Sequence, residues 1–388
     1  MRMSKSTQPR IALALAGGGP LGAIYEIGAL CALDEALEGL DFTALDHYVG
    51  VSAGGFIAAG LANGMTPRQL CAAFIENDGE ADVFDPAWLM VPAYGEFARR
   101  AIMLPGLALS ALWRATAGRK SITQSLERLG PVLPTGIFSN DEVHRRLERV
   151  FSRGGRTNDF RRLKARLTLV ATNLDTGEAA PFGRPGFDHV PISRAVQASS
   201  ALPGLFPPVE IDDQSYVDGA LKKTMHASVA LDDGVDLMLC LNPLVPFRMP
   251  RIVQGGLPAV LSQTFRSMIH SRMELGMKHY ERAYPHTDIL LLEPDPADPR
   301  LHGANTFSYG QRRQMAEHAY QQTRALLRTR FAEVSKKLGR HGVGVRADVL
   351  NEPGRHLVEP RTSPTRIGRA IASLEATMDQ LEATLQAA

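Results

Sequence analysis

The stretch that most constrains this chain is Gly50-Val51-Ser52-Ala53-Gly54, together with the segments on either side of it. Before it, His47-Tyr48-Val49-Gly50-Val51 is short and apolar, the pattern of a buried strand. After it, Ala53-Gly54-Gly55-Phe56-Ile57-Ala58-Ala59 is a small-residue run that reads as a helix. Ser52 therefore falls on the sharp turn between the two. Flanking glycines let the backbone take a strained turn and leave the serine Oγ projecting toward a substrate carbonyl. That is the context of a nucleophile elbow. A tight glycine turn with serine as a helix cap fits the same residues.

Upstream, Ile11 to Ala16 reads as another buried strand, running into Gly17-Gly18-Gly19-Pro20-Leu21-Gly22. Ile24, Ile27, Leu30, Leu33 and Leu37 then recur at helical spacing. The glycine string fits G-x-G-x-x-G, so a dinucleotide-binding unit has to be weighed. That unit needs an acidic residue at the end of the next strand, about 20 residues on, to hold a ribose. Here the next strand ends in Ser52, which argues against it. What remains is a loop of backbone N–H groups at a helix N-terminus beside the elbow, able to hydrogen-bond an oxyanion. Strand, glycine loop, helix, strand and elbow compose a right-handed βαβ unit with loop and elbow at one sheet edge.

The 388 residues suffice for one large α/β domain with additions, or for two domains. A net charge of +2 lacks the basic excess of a dedicated nucleic-acid binder. Cys31, Cys71 and Cys240 lie in apolar stretches and are odd in number. They read as buried reduced thiols of a cytoplasmic chain, without a disulfide framework, metal site or cofactor. Met1 to Arg10 followed by the apolar run Ile11–Ala16 mimics a secretory leader, but that run is short of an h-region and reads as the first strand. No run of about 18 apolar residues occurs, so no transmembrane helix is expected.

From about Gly79 to Pro134 the pattern loosens. The apolar segment Ala101 to Trp113 is edged by Arg99, Arg100, Arg114, Arg119 and Lys120. It reads either as a lid or membrane-contact insertion or as an insertion that packs on the core. Val143, Leu147, Val150 and Phe151 lie on one helix face with Arg145, Arg146 and Arg149 opposite. The run of cations through Arg166 reads as a solvated face, with anionic lipid contact as the alternative. A strand at Leu167–Ala171 leads to a hairpin turn at Asp175-Thr176-Gly177. Further strands are expected at Tyr216-Val217, Val235–Leu241 and Asp288–Glu293, with long helical patterns over 254–283 and 308–338. Residues 339–364 look irregular. Ile367, Ile371, Leu374, Met378, Leu381 and Leu385 then form a short heptad seam, packing on the protein itself or pairing with a second copy as a homodimer.

In this order the elements resemble the patatin-like phospholipases, a family of lipid acyl hydrolases. The matching pieces are Gly17 to Gly22, Gly50 to Gly54 and Asp218-Gly219-Ala220, supported by Ala171–Glu178 and Ala198–Pro208. The resemblance implies a three-layer α/β/α fold with a mostly parallel central sheet and helical C-terminal additions. It implies a catalytic domain over 10–245, a helical region with a late strand over 246–338, and a tail with the heptad helix over 339–388. It makes Ser52 the nucleophile and Asp218 its partner, in a dyad without histidine. The backbone of Gly17, Gly18 and Gly19 becomes the oxyanion hole, with Gly22, Gly50, Gly54, Gly219 and Ala220 as motif positions. The family's loop usually carries a basic residue where this chain has Leu21, which bears on charged headgroups.

The expected activity is therefore hydrolysis of fatty-acyl esters of lipids at a membrane surface, by a cytoplasmic protein in peripheral contact with it. Serine needs an adjacent base to attack, and a desolvated carboxylate gains basicity toward neutral pH. Two alternatives are a catalytically silent lipid-binding or scaffold protein and a Ser-Asp-His esterase using a histidine after Asp218, such as His226, His270, His279 or His286.

Overall fold

The computed structural model describes residues 8–76, 86–102, 133–246, 248, 252–298, 300, 309–358 and 378. The first half runs β1 (Ile11–Leu15), α1 (Gly19–Ala36), β2 (Leu37–Glu38), β3 (His47–Gly50), α2 (Ala53–Ala62), α3 (Pro67–Cys71), α4 (Asp141–Phe151) and β4 (Arg166–Asn173). It continues with β5 (Ala179–Phe182), α5 (Ile192–Ser199), β6 (Val209–Ile211), β7 (Gln214–Asp218), α6 (Ser228–Leu231) and β8 (Leu237–Leu241). The rest is α7 (Gly256–Ala283), β9 (Asp288–Leu292), α8 (Tyr309–Thr329), α9 (Phe331–Gly339), β10 (Gly344–Val345) and α10 (Ala347–Asn351).

The main sheet has the order β6-β7-β4-β3-β1-β8-β9, with β5 also paired to β4. Strands β4, β3, β1, β8 and β9 are parallel, while at one side β5 and β7 pair antiparallel with β4, and β6 pairs antiparallel with β7. Alternation along each parallel strand explains why both faces are covered. Leu13 and Leu15 of β1, Tyr48 of β3 and Leu237, Leu239 and Leu241 of β8 enter one core with α1, α2, α5 and α8. Their neighbours Ala12, Ala14, Val49, Met238 and Cys240 enter a second core, closed by Ile269, Met273 and Tyr280 of α7. A strand buried on both faces reads as a continuous apolar run, and helices on each face make three layers.

Several expectations are refined. The helical pattern over 308–338 is two helices, α8 and α9, separated at Arg330. The stretch after Gly339, expected to be irregular, contains β10, which pairs antiparallel with β2, and α10. Buried Arg324 of α8 holds it by donating to the carbonyls of Val349, Leu350, Glu352 and Arg355. On α4, Val143, Leu147 and Phe151 are buried, while Arg145, Arg146 and Arg149 surround Glu142 at 3.3, 2.7 and 3.7 Å. This is a solvated, ion-paired face. The heptad seam, Met378 excepted, and most of the 79–134 insertion lie outside the described residues. Among the described residues, no helix is long and apolar enough to cross a membrane.

Candidate active site

Strands β1 and β3 are neighbours with Leu15 opposite Gly50, so the segments leaving them emerge side by side. The Val51 N–H donates to the Leu15 carbonyl at 3.1 Å, and the Gly54 N–H to the Ala16 carbonyl at 3.2 Å. This approach requires glycine at position 54, because a Cβ there would stand 2.6 Å from the Ala16 oxygen. The turn puts Ser52 at φ 52° and ψ −122°. A non-glycine residue keeps such a backbone only where its surroundings impose it. One of those surroundings is Ser199, at the end of α5. Its Oγ accepts from the Ser52 N–H at 2.9 Å and donates to the Val170 carbonyl at 2.6 Å. Gly17 lies directly against the turn, since a Cβ on it would come 3.2 Å from Ser52 Cβ and 3.8 Å from Ser52 Oγ.

Register brings in the second residue. Gly50 of β3 lies opposite Leu169 of β4, and Ala171, two residues further along β4, lies opposite Asp218 of β7. Asp218 thus ends its strand next to the turn. Asp218 and Ser52 line the same cavity, and the Ala220 N–H donates to Asp218 Oδ1 at 2.9 Å. Burial pushes the Asp218 carboxyl up to about 6, against the opposing pull of the Ser52 hydroxyl and the Ala220 N–H. A carboxylate so placed can accept a proton near neutral pH.

Helix starts supply the third component. Gly18 caps α1, Gly19 is its first residue, and Ala53 opens α2. N–H groups at such positions have no acceptor within their own helix. Gly17 differs from Gly18 and Gly19 because its N–H reaches the Thr224 carbonyl at 3.4 Å. Gly18, Gly19, Ser52, Ala53, Asp218 and Ala220 all line one cavity of about 530 Å³. Its remaining wall is largely apolar, including Ile24, Phe56, Phe138, Leu202, Leu244 and Phe265, with Arg266 and Arg312 also contributing. Gly22 and Gly50 hold the two turns from behind, and Gly219 packs on the Val170 carbonyl.

The histidines sit elsewhere. His226 is buried, with Nε2 3.3 Å from the Gly219 carbonyl, and burial pulls its pKa down to about 4. His318 pairs with Asp298, and His270 with Glu274 at 3.6 Å. Among the described residues, no histidine hydrogen-bonds to Asp218 or Ser52. Nor do three or more His, Cys, Asp or Glu side chains among them gather in a way that could hold a metal ion. Two site features escape a reading of the motifs alone. The Ala53 N–H could have been found from its place, first in the helix after the turn serine. Ser199 has no such local signal.

Layers and strand order define a three-layer α/β/α protein with a mostly parallel sheet and the turn serine at its edge. A sequence model of the patatin-like phospholipase family matches residues 13–231, more than half of the 388, and the chain belongs to that family. Two solved structures are similar. VipD from Legionella pneumophila shares 18% identity at a TM-score of 0.37, over 83% of this chain and 67% of that one. The type III effector protein ExoU shares 19% at a TM-score of 0.34, over 84% of this chain and 53% of that one. This chain therefore spans about half of the length of ExoU.

Proposed function

We propose that this chain is a serine acyl hydrolase that cleaves fatty-acyl esters of lipids, with Ser52 as nucleophile and Asp218 as base. Membership of the patatin-like phospholipase family supports lipid acyl hydrolysis in general. The single observation that carries the finer reading is the buried Asp218 carboxylate beside Ser52 and within its electrostatic reach, in the wall of one largely apolar cavity. Asp218 takes the Ser52 proton as Oγ attacks the ester carbonyl. The negative charge that develops on the carbonyl oxygen is met by the N–H groups of Gly18, Gly19 and Ala53, and each such donor is typically worth about 10² to 10³ in rate. Asp218 then gives its proton to the departing alkoxide, leaving the acyl group on Ser52. Water, deprotonated by Asp218, attacks the acyl-enzyme. The tetrahedral adduct expels Ser52 Oγ, which recovers the proton, and the fatty acid leaves.

Leu21 packs against the main core. The family's basic residue is therefore missing at a position that leaves Ser52, Asp218 and the backbone donors intact. The test is hydrolysis of phospholipids, lysophospholipids, triglycerides and short p-nitrophenyl esters by wild type beside Ser52→Ala and Asp218→Asn. Fatty-acid release that persists in Ser52→Ala would end the reading.

A further inference from the structure

Large apolar side chains stand in solvent around one side of the cavity. Tyr94 is 71% exposed, Leu133 66% and Ile137 53%, and Val91, Phe97 and Leu205 are also exposed. They are distant in sequence but stitched into one surface. The Ala93 N–H donates to the Ile137 carbonyl at 3.0 Å, the Ile137 and Phe138 N–H groups to the Leu205 carbonyl at 3.1 and 2.9 Å, and the Ser139 N–H to the Val91 carbonyl at 2.7 Å. Tyr94 and Phe97 are one helical turn apart, on one face of the helix over 94–102.

This surface is continuous with the interior of the site. Leu89, Met90, Phe138 and Leu205 line the cavity that holds Ser52, and each is within a few residues of an exposed member of the patch. A contiguous exposed apolar area on a protein marks a surface that is covered in use. The backbone N–H groups of Tyr94, Phe97, Ile137 and Leu205 are already paired internally, so moving them out of water strands few polar groups. Tyr94 adds an apolar ring with a polar tip, the side chain that suits the boundary between hydrocarbon and water.

We infer that the patch made by Val91, Tyr94, Phe97, Leu133 and Ile137 docks the cavity rim, at Leu205, onto a lipid surface. An acyl chain then passes from that surface into the cavity without crossing water. The inference rests on the lipid-ester reading of the site, and names the face through which substrate arrives.

The test separates binding from chemistry. Co-sedimentation with phosphatidylcholine vesicles is measured for the full chain carrying Ser52→Ala, alone and with Tyr94→Glu and Ile137→Glu added. Each charge should weaken vesicle binding by about tenfold or more, the worth of one large apolar side chain withdrawn from hydrocarbon. In the Ser52 background of the wild type, Tyr94→Glu/Ile137→Glu should hydrolyse soluble p-nitrophenyl butyrate within about twofold of wild type while losing activity on vesicles. Three results would overturn the inference. One is vesicle binding unchanged by both charges; another is loss of soluble-ester activity in step with vesicle activity. The third is a dimer in solution that the two charges dissociate while vesicle binding persists, which would make the patch a contact between copies. Failure of the catalytic reading would look different: Ser52→Ala would still hydrolyse the soluble ester, whatever the vesicles did.

Discussion

Replacing Asp218 by asparagine separates what the carboxylate does for stability from what it does for chemistry. Burial raises its pKa from the ordinary 3.8 to about 6. At about 1.4 kcal/mol per unit, holding the ionised form in place costs the folded chain about 3 kcal/mol. The sign follows from proton binding. Between those two pKa values the folded chain keeps a proton on Asp218 that the unfolded chain has released. The residue's contribution therefore falls as pH rises from about 4 to about 6, and stays low above that. Asp218→Asn has no charge to desolvate. Relative to wild type it gains about 3 kcal/mol at pH 8 but only about 1 kcal/mol at pH 4.5. Changes that do not depend on ionisation are common to both conditions, so the difference of about 2 kcal/mol isolates the net cost of the buried charge, its hydrogen bonds included. Urea denaturation of both proteins at the two pH values measures it. Over the same range, wild-type hydrolysis of a soluble ester should lose activity as pH drops through about 6, with the variant slower by about 10³-fold or more. A stability difference that is the same at both pH values, or larger at pH 4.5, would refute the reasoning.

Three further outcomes follow from the geometry. Ser199→Ala removes the hydroxyl that bridges the Ser52 N–H and the Val170 carbonyl. Release of the strained turn should lower kcat by about 10²-fold with KM within about twofold, as read by steady-state kinetics on a soluble ester. His226→Asn, at a residue with φ 49° that asparagine tolerates, should keep kcat/KM within about tenfold, whereas loss of a triad histidine costs about 10⁴-fold or more. Arg324→Met leaves the carbonyls of Val349, Glu352 and Arg355 without their charged donor, while Arg328 still reaches that of Leu350. It should cost about 3 kcal/mol in urea denaturation and hasten proteolysis near residues 340–358, with soluble-ester kcat within about twofold.

What could be read from the chain was local. The path from Ile11 through the glycine loop to Ser52 is legible because each step has its own signal: an apolar run, a glycine string, helical spacing, and a serine between small residues. Pairing Ser52 with Asp218 is not local. An Asp-Gly pair after a short strand is a hairpin turn in most chains, and only the order of three family motifs singled it out. Ser199 stayed hidden because a buried serine at a helix end carries no pattern; its role exists only through β4, to which it bonds. The segment after Gly339 misled for a similar reason. Its glycines and arginines look irregular, yet two residues pair with β2 and Arg324, on a helix far upstream, supplies its hydrogen bonds. Composition records the turn residues, and the partner lies elsewhere in the chain.

In the proposed reading, chemistry and selectivity come from different parts of this molecule. The family segment, residues 13–231, contains Ser52, Asp218 and the glycine loop, but it does not complete the cavity. Leu244, Ser262, Phe265, Arg266 and Arg312 come from beyond it. Helix α7 packs Ile269, Met273 and Tyr280 onto the second core, and with the same rigid backbone brings Phe265 to the cavity. The two groups that pull the Asp218 pKa down, Ser52 and Ala220, belong to other elements than α7. Phe265→Ala should therefore change which acyl chain fits and leave the base alone. Relative kcat/KM among p-nitrophenyl butyrate, octanoate and palmitate should shift by about tenfold or more toward the longer chains, while the acidic limb stays near pH 6. A variant that moved that limb and kept the wild-type chain preference would show that α7 acts on the base, and that the two functions cannot be assigned to separate parts of the chain.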